Sequence, residues 1–135
     1  MMLFLLAAMA ASGDSPADAA IGLWQTEVRH GLVEISRCGQ SLCGKIVDSD
    51  GLKANPALLD TKNKDPKLRA RPLKGMTILK GFSWRGNAWS GGTIYNAEDG
   101  GTYNATITIA DTKHLKLKGC VVWPLCKTQT WTRLR

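Results

Sequence analysis

The sequence predicts an all-β domain, a small antiparallel barrel of eight strands with one short helix in a long connection. Three observations carry this. Beyond residue 20, apolar and polar residues alternate with period two in short runs, and no long stretch has helical periodicity. The runs number eight and are joined mostly by tight links. Eight sequential strands are enough to close a ring and remove both sheet edges.

The runs fall at 23–28, 32–37, 43–48, 76–84, 88–95, 102–109, 114–120 and 127–134. The clearest is 102–109. Tyr103, Ala105, Ile107 and Ile109 share one face, and Thr102, Asn104, Thr106 and Thr108 share the other. Ahead of it, Asp99-Gly100-Gly101 reads as a hairpin turn, because Gly tolerates positive φ. Arg29-His30-Gly31, Arg85-Gly86-Asn87 and Asp111-Thr112-Lys113 are the short links. Gly81, Gly91, Gly92 and Gly119 fit bends or bulges that curve the sheet. Run 88–95 has apolar residues on both parities, so its inward face stays open.

Residues 49–74 break the rhythm. This connection is polar and strongly basic, with Lys53, Lys62, Lys64, Lys67, Arg69, Arg71 and Lys74. Asp65-Pro66 is expected to start the short helix: Asp caps free N–H groups, and Pro at the first helical position loses no bond. A connection this long is either a lid over one barrel mouth or a solvated excursion covering a sheet end.

Residues 1–11 form an apolar run too short to span a bilayer, which takes about 20 residues. Ala17-Asp18-Ala19 fits a small-x-small cleavage pattern, so residues 1–19 read as a secretory signal peptide and 20–135 as the mature barrel domain. No Lys or Arg precedes the apolar run. A buried N-terminal helix or strand is the alternative. Loss of residues 1–19 takes two acids and no bases from a chain of net charge +7, leaving +9. Such a field favours anionic partners, including an anionic envelope surface, without selecting among them. The expected compartment is an oxidising one outside the cytoplasm.

Four cysteines, an even number, suit an oxidising compartment. Cys38 ends one run and Cys43 opens the next; Cys120 and Cys126 bracket a second turn. Of three possible connectivities, the local pairs Cys38–Cys43 and Cys120–Cys126 are predicted, each stapling a hairpin for about 2 kcal/mol. The C-x4-C and C-x5-C spacings lack zinc knuckles and the redox C-x-x-C, so neither a metal nor a cofactor is expected.

Gly22-Leu23-Trp24 opens the first run, and Thr130-Trp131-Thr132-Arg133 closes the last. First and last strands are neighbours in a closed barrel, so Arg133 can lie over Trp24. Gly-x-Trp with a matching Arg resembles the lipocalin and calycin signature. That resemblance implies that Trp24 and Arg133 plug one end and a ligand enters at the other.

A closer resemblance covers nearly the whole mature chain. Residues 33–39 (VEISRCG), 42–46 (LCGKI), 60–63 (DTKN), 69–75 (RARPLKG), 92–100 (GTIYNAEDG) and 128–133 (TQTWTR) are similar to a bacterial secreted family of unknown function, numbered 2147. The resemblance implies a lipocalin-like fold, export to the bacterial periplasm or the exterior, and no assigned catalytic activity. The chain departs from that family at Ala97, where Pro is usual, and at Asn63-Lys64, where Asn-Pro is usual.

Catalytic patterns are thin. His30 and His114 fall in or beside turns, and neither a nucleophile elbow nor H-E-x-x-H is present. Asp48-Ser49-Asp50-Gly51 starts like a calcium loop but lacks the later ligands, and is read as a turn. Glu98-Asp99 reads as hairpin chemistry. Nucleic acid is not an expected partner: the aromatics alternate with polar neighbours as core residues do. The mature chain has no transmembrane segment by this reading. The function expected is non-enzymatic binding of a small hydrophobic or amphipathic, anionic lipid-like ligand. Candidate lining residues are Trp89, Tyr95, Tyr103 and Ile107, with Arg69 and Arg71 at the mouth. The alternative is a structural or interaction protein with a filled barrel, whose cationic surface engages polyanions or an acidic partner.

Overall fold

The computed structural model describes residues 15–122 and 124–135. The expected leader's apolar run lies outside the described residues. Among the described residues nine strands run in chain order: β1 (Gly22–Gln25), β2 (Leu32–Cys38), β3 (Ser41–Asp48), β4 (Thr77–Lys80), β5 (Ser83–Trp84), β6 (Trp89–Asn96), β7 (Gly101–Asp111), β8 (His114–Val122) and β9 (Leu125–Arg133).

Every neighbouring pair is antiparallel, in the order β4-β3-β2-β1-β9-β8-β7-β6, and pairing of β4 with β6 closes the ring at eight strands. The two-residue β5 also pairs with β6. It continues β4 beyond a break at Gly81-Phe82, so run 76–84 is one barrel strand in two pieces. At the break Phe82 turns inward onto Gly92, where a Cβ would stand 2.5 Å from its ring.

The ambiguity of run 88–95 has a physical cause. A bulge between Trp89 and Gly92 shifts the β6–β7 register, because Trp89 pairs with Ile107 and Gly92 with Ala105. An extra residue reverses the parity partway along the strand, so no single alternation describes it. In β7 the alternation is unbroken, with Ala105 and Ile107 buried and Thr102, Asn104 and Thr108 exposed.

One barrel end is sealed. Residues 15–21, including a 3-10 turn at Pro16–Ala20, lie across it with Ala17 and Ala20 buried. Small side chains let this backbone sit on the indoles below. Trp89 Nε1 donates to Ala17 O and Trp24 Nε1 to Ala20 O, each at 2.9 Å. Arg37 pairs with Asp18 at 2.8 Å and lies over Trp89, 5.1 Å from the ring centroid. The Arg133 guanidinium lies 4.4 Å from the centroid of Trp24. It donates to Ile21 O and Thr112 O, each at 2.8 Å, and to Ala19 O. Gly22 makes this crossing possible: a Cβ there would stand 2.6 Å from Arg133 Nη1. The cleavage position read after Ala19 falls inside this plug.

The long connection differs locally from expectation. Its α-helix, α1, spans Asp50–Ala54, capped by Ser49 Oγ accepting from Leu52 N at 3.1 Å, with Leu52 buried. Asp48-Ser49-Asp50-Gly51 is therefore a helix start rather than a turn. The helix expected at Asp65-Pro66 is a single 3-10 turn, Pro66–Leu68, with Asp65 accepting from Lys67 N at 3.0 Å. It cannot extend. Pro72 disfavours a helical Arg71, and Asp60 N already bonds Arg71 O at 2.9 Å in a short extended stem.

Both disulfides join the local pairs, Cys38–Cys43 and Cys120–Cys126. The first closes the β2–β3 turn at the sealed end; the second closes the β8–β9 turn at the opposite end. No helix among the described residues is long and apolar enough to cross a membrane.

Candidate functional site: the barrel lumen and its mouth

In an antiparallel ring, alternate turns share one end. The β1–β2, β6–β7 and β8–β9 turns and the long connection therefore meet opposite the plug. They surround the opening of a cavity of about 850 Å³ inside the barrel. Side chains do not fill the lumen. This volume lies within the range of small-molecule sites, about 300–1,000 Å³.

The deep wall is apolar, with Val33, Ile46, Ile78, Ile94, Leu117 and Trp131. Inward residues of β8 run Leu115, Leu117, Gly119. At Gly119 an added Cβ would meet nothing closer than 3.8 Å, so its missing side chain leaves room in the lumen. From the long connection, Leu52, Leu58, Leu59 and Leu73 supply one flank. That segment lies along the mouth.

The rim is mixed: exposed Val28, Leu59, Val121 and Leu125 stand among charged side chains. Arg29, Lys62, Glu98, Asp99 and Lys127 border the opening. Arg29 pairs with Glu98 at 2.8 Å. Tyr103 donates to Asp99 Oδ2 at 2.5 Å, which holds the Asp99 carboxyl below the usual range and raises the Tyr103 hydroxyl above its own. Asp48 accepts from Lys53 at 2.8 Å, which lowers its pKa. The rim acids thus have partners, whereas Lys62 and Lys127 belong to no ion pair among the described residues.

The β1–β2 turn is unusual. Arg29 and His30 both have left-handed backbones, φ 55° and 50°, in a turn closed by Gly31 N to Val28 O at 3.1 Å. Tight hairpins of this kind normally take Asn-Gly, so two bulky residues here store strain. Contacts on both sides hold them. His30 Nδ1 lies 3.0 Å from Asp50 Oδ2, and Asp50 N donates to Arg29 O at 3.0 Å.

A buried carboxylate ties the long connection to the barrel. Asp60, 1% exposed, accepts from Tyr95 Oη at 2.6 Å, Asn63 Nδ2 at 2.8 Å and Arg71 Nη2 at 3.4 Å. Burial first, then the hydrogen bond to Asp60, pushes the Tyr95 hydroxyl up to about 12. Nearby, Gly100 (φ 73°) makes room for the same segment: a Cβ there would overlap Lys62 O at 1.9 Å.

Of the residues expected to form the site, Tyr95 and Tyr103 border the cavity. The other four lie elsewhere. Trp89 and Ile107 pair at the sealed end, below the bulge that reverses β6; Trp89 borders a shallow cleft with Arg37, Gln40 and Trp84. Arg69 Nε donates to Asn63 O at 2.7 Å, and Arg71 is engaged with Asp60. Both hold the connection together. The rim residues Arg29, Lys62 and Lys127 carry no periodic signal. Counting alternate turns of the meander would have brought Arg29, Glu98 and Lys127 to one end. His114 pairs with Asp111 at 2.9 Å, outside the cavity. No cluster of three His, Cys, Asp or Glu able to hold a metal occurs among the described residues.

A family model described as "Uncharacterized protein conserved in bacteria (DUF2147)" matches residues 22–133. Among solved structures, the chain resembles protein HP1028 from Helicobacter pylori, described as belonging to the lipocalin family. The two are 27% identical with a TM-score of 0.77, and the match covers 85% of this chain and 82% of that one. No curated protein matches the chain.

Proposed function

The chain belongs to this bacterial family, and we propose that it is an exported, lipocalin-like binding protein whose lumen takes one small amphipathic molecule with an anionic head group. The observation that carries the reading is the cavity of about 850 Å³, apolar in depth and bordered at its mouth by Lys62 and Lys127, which belong to no ion pair among the described residues. An apolar tail in the lumen loses water-exposed surface at about 25 cal/mol per Å². An acidic head near the lysines keeps partial hydration and gains their attraction. The lipocalin neighbour supports a binding role rather than a catalytic one. The two disulfides and the bacterial family fit a periplasmic or extracellular protein.

The test is titration with a fluorescent fatty acid. Gly119→Phe, which puts a ring into the lumen, weakens binding at least ten-fold. Lys62→Glu with Lys127→Glu weakens the carboxylate roughly five- to ten-fold while sparing the matching fatty alcohol, because exposed charges act through screened water. Saturable uptake unaffected by Gly119→Phe would place the ligand outside the barrel and sink the reading.

A further inference from the structure

Six large apolar side chains stand out into solvent among the described residues, and five cluster at one place. Leu125, Val121 and Val122 are 65%, 62% and 57% exposed at the β8–β9 tip; Val28 and Leu59 are 45% and 41% exposed on two other segments around the same opening. The sixth, Leu134, is at the opposite end. Isolated exposed apolar residues need no explanation, but their concentration around one mouth does. The Cys120–Cys126 disulfide closes the base of this tip. Cations accompany them. Lys62, Lys64 and Lys127 are exposed, and none is in an ion pair among the described residues.

We propose that the mouth docks on an anionic lipid membrane, with Val121, Val122 and Leu125 entering the headgroup–acyl boundary and the lysines resting on anionic headgroups. Three points favour a bilayer as the occupant. Apolar tips beside exposed lysines match a surface that is anionic outside and apolar just beneath. The apolar residues sit on separate segments around an opening, which suits a broad soft surface. Val28, Leu59, Val121 and Leu125 also border the cavity, so the docked apolar surface is continuous with the lumen wall. An amphiphile leaving the bilayer would then reach the lumen without crossing water. The docking surface goes beyond the binding function proposed above and does not depend on it.

The experiment is vesicle flotation with the oxidised protein, comparing phosphatidylglycerol–phosphatidylcholine vesicles with phosphatidylcholine alone. The informative variants are Val122→Asp and Lys64→Glu, because neither residue borders the lumen. The protein is expected to float with the anionic vesicles and at least ten-fold less with neutral ones, and to be released by raised salt. Val122→Asp lowers binding on the order of ten-fold or more, and Lys64→Glu lowers it several-fold. Fatty-acid titration of both variants in vesicle-free solution separates the two ideas. Vesicle binding without lumen uptake leaves docking standing and removes the lumen ligand. Failure to float with anionic vesicles, or flotation that Val122→Asp leaves unchanged, overturns the proposal. So does a concentration-dependent dimer abolished by Val122→Asp, since the mouth would then be covered by a second copy.

Discussion

Arg29 and Glu98 meet at 2.8 Å across the open end of the barrel. Their turns, β1–β2 and β6–β7, lie on opposite sides of the eight-strand ring. The pair is an exposed bar over the lumen, and both of its residues border the cavity.

Glu98→Gln removes the charge attraction and little else. Exposed pairs contribute about 0–1 kcal/mol, so urea unfolding is expected to shift by less than that. Release of a bound fatty acid, followed by stopped-flow, quickens about two- to five-fold. An unchanged release rate would show that the bar does not obstruct exit.

Arg133→Lys tests the sealed end. Lysine keeps the charge but loses the planar face over Trp24 and the fork that reaches several carbonyls at once. The expected cost is about 2–3 kcal/mol in chemical denaturation, with fatty-acid affinity unchanged at the far end. An equal loss of affinity would mean that the two ends are coupled.

Tyr95→Phe removes the 2.6 Å donor to buried Asp60. The expected destabilisation at neutral pH is about 1–3 kcal/mol. The wild type also carries a pH signature. The Tyr95 hydroxyl is raised from 10.0 to about 12 in the folded chain, so the fold favours its protonated form. That contribution is complete below pH 10 and is lost as pH rises through about 12. Alkaline unfolding followed with tyrosinate absorbance should show a wild-type-minus-Tyr95→Phe difference in that window.

The eight runs, the turns between them, both disulfides and the approach of Arg133 to Trp24 were legible in the sequence, because period two, turn glycines and short Cys spacings are local signals. Three features were not. The bulge after Trp89 reverses which β6 residues face inward, so Trp89 falls at the sealed end instead of in the lumen. The commitment of Arg71 to Asp60 depends on a stem between residues 58–60 and 71–73, a pairing that alternation does not announce. The plug at residues 15–21 was hidden because small residues before a strand read equally well as a cleavage site.

That plug gives a fourth prediction. Removing residues 1–19 orphans the buried indole N–H of Trp89 and breaks the Asp18–Arg37 pair. The unpaired N–H alone costs about 1–3 kcal/mol. A chain starting at Ser15 should therefore melt well above one starting at Ala20. If the chain is exported as proposed, the intact mass of the mature protein should place its first residue at or before Ser15. A first residue at Ala20 with undiminished stability would show the plug to be dispensable.

Closure of the ring joins Trp24 to Arg133, nearly the whole described chain apart in sequence. Contacts of such separation form late, because loop entropy opposes them until most of the chain is in place. The lumen is therefore complete only once β9 has paired with both β8 and β1. A small molecule held as proposed would therefore meet a finished lumen only after the first and last strands have paired.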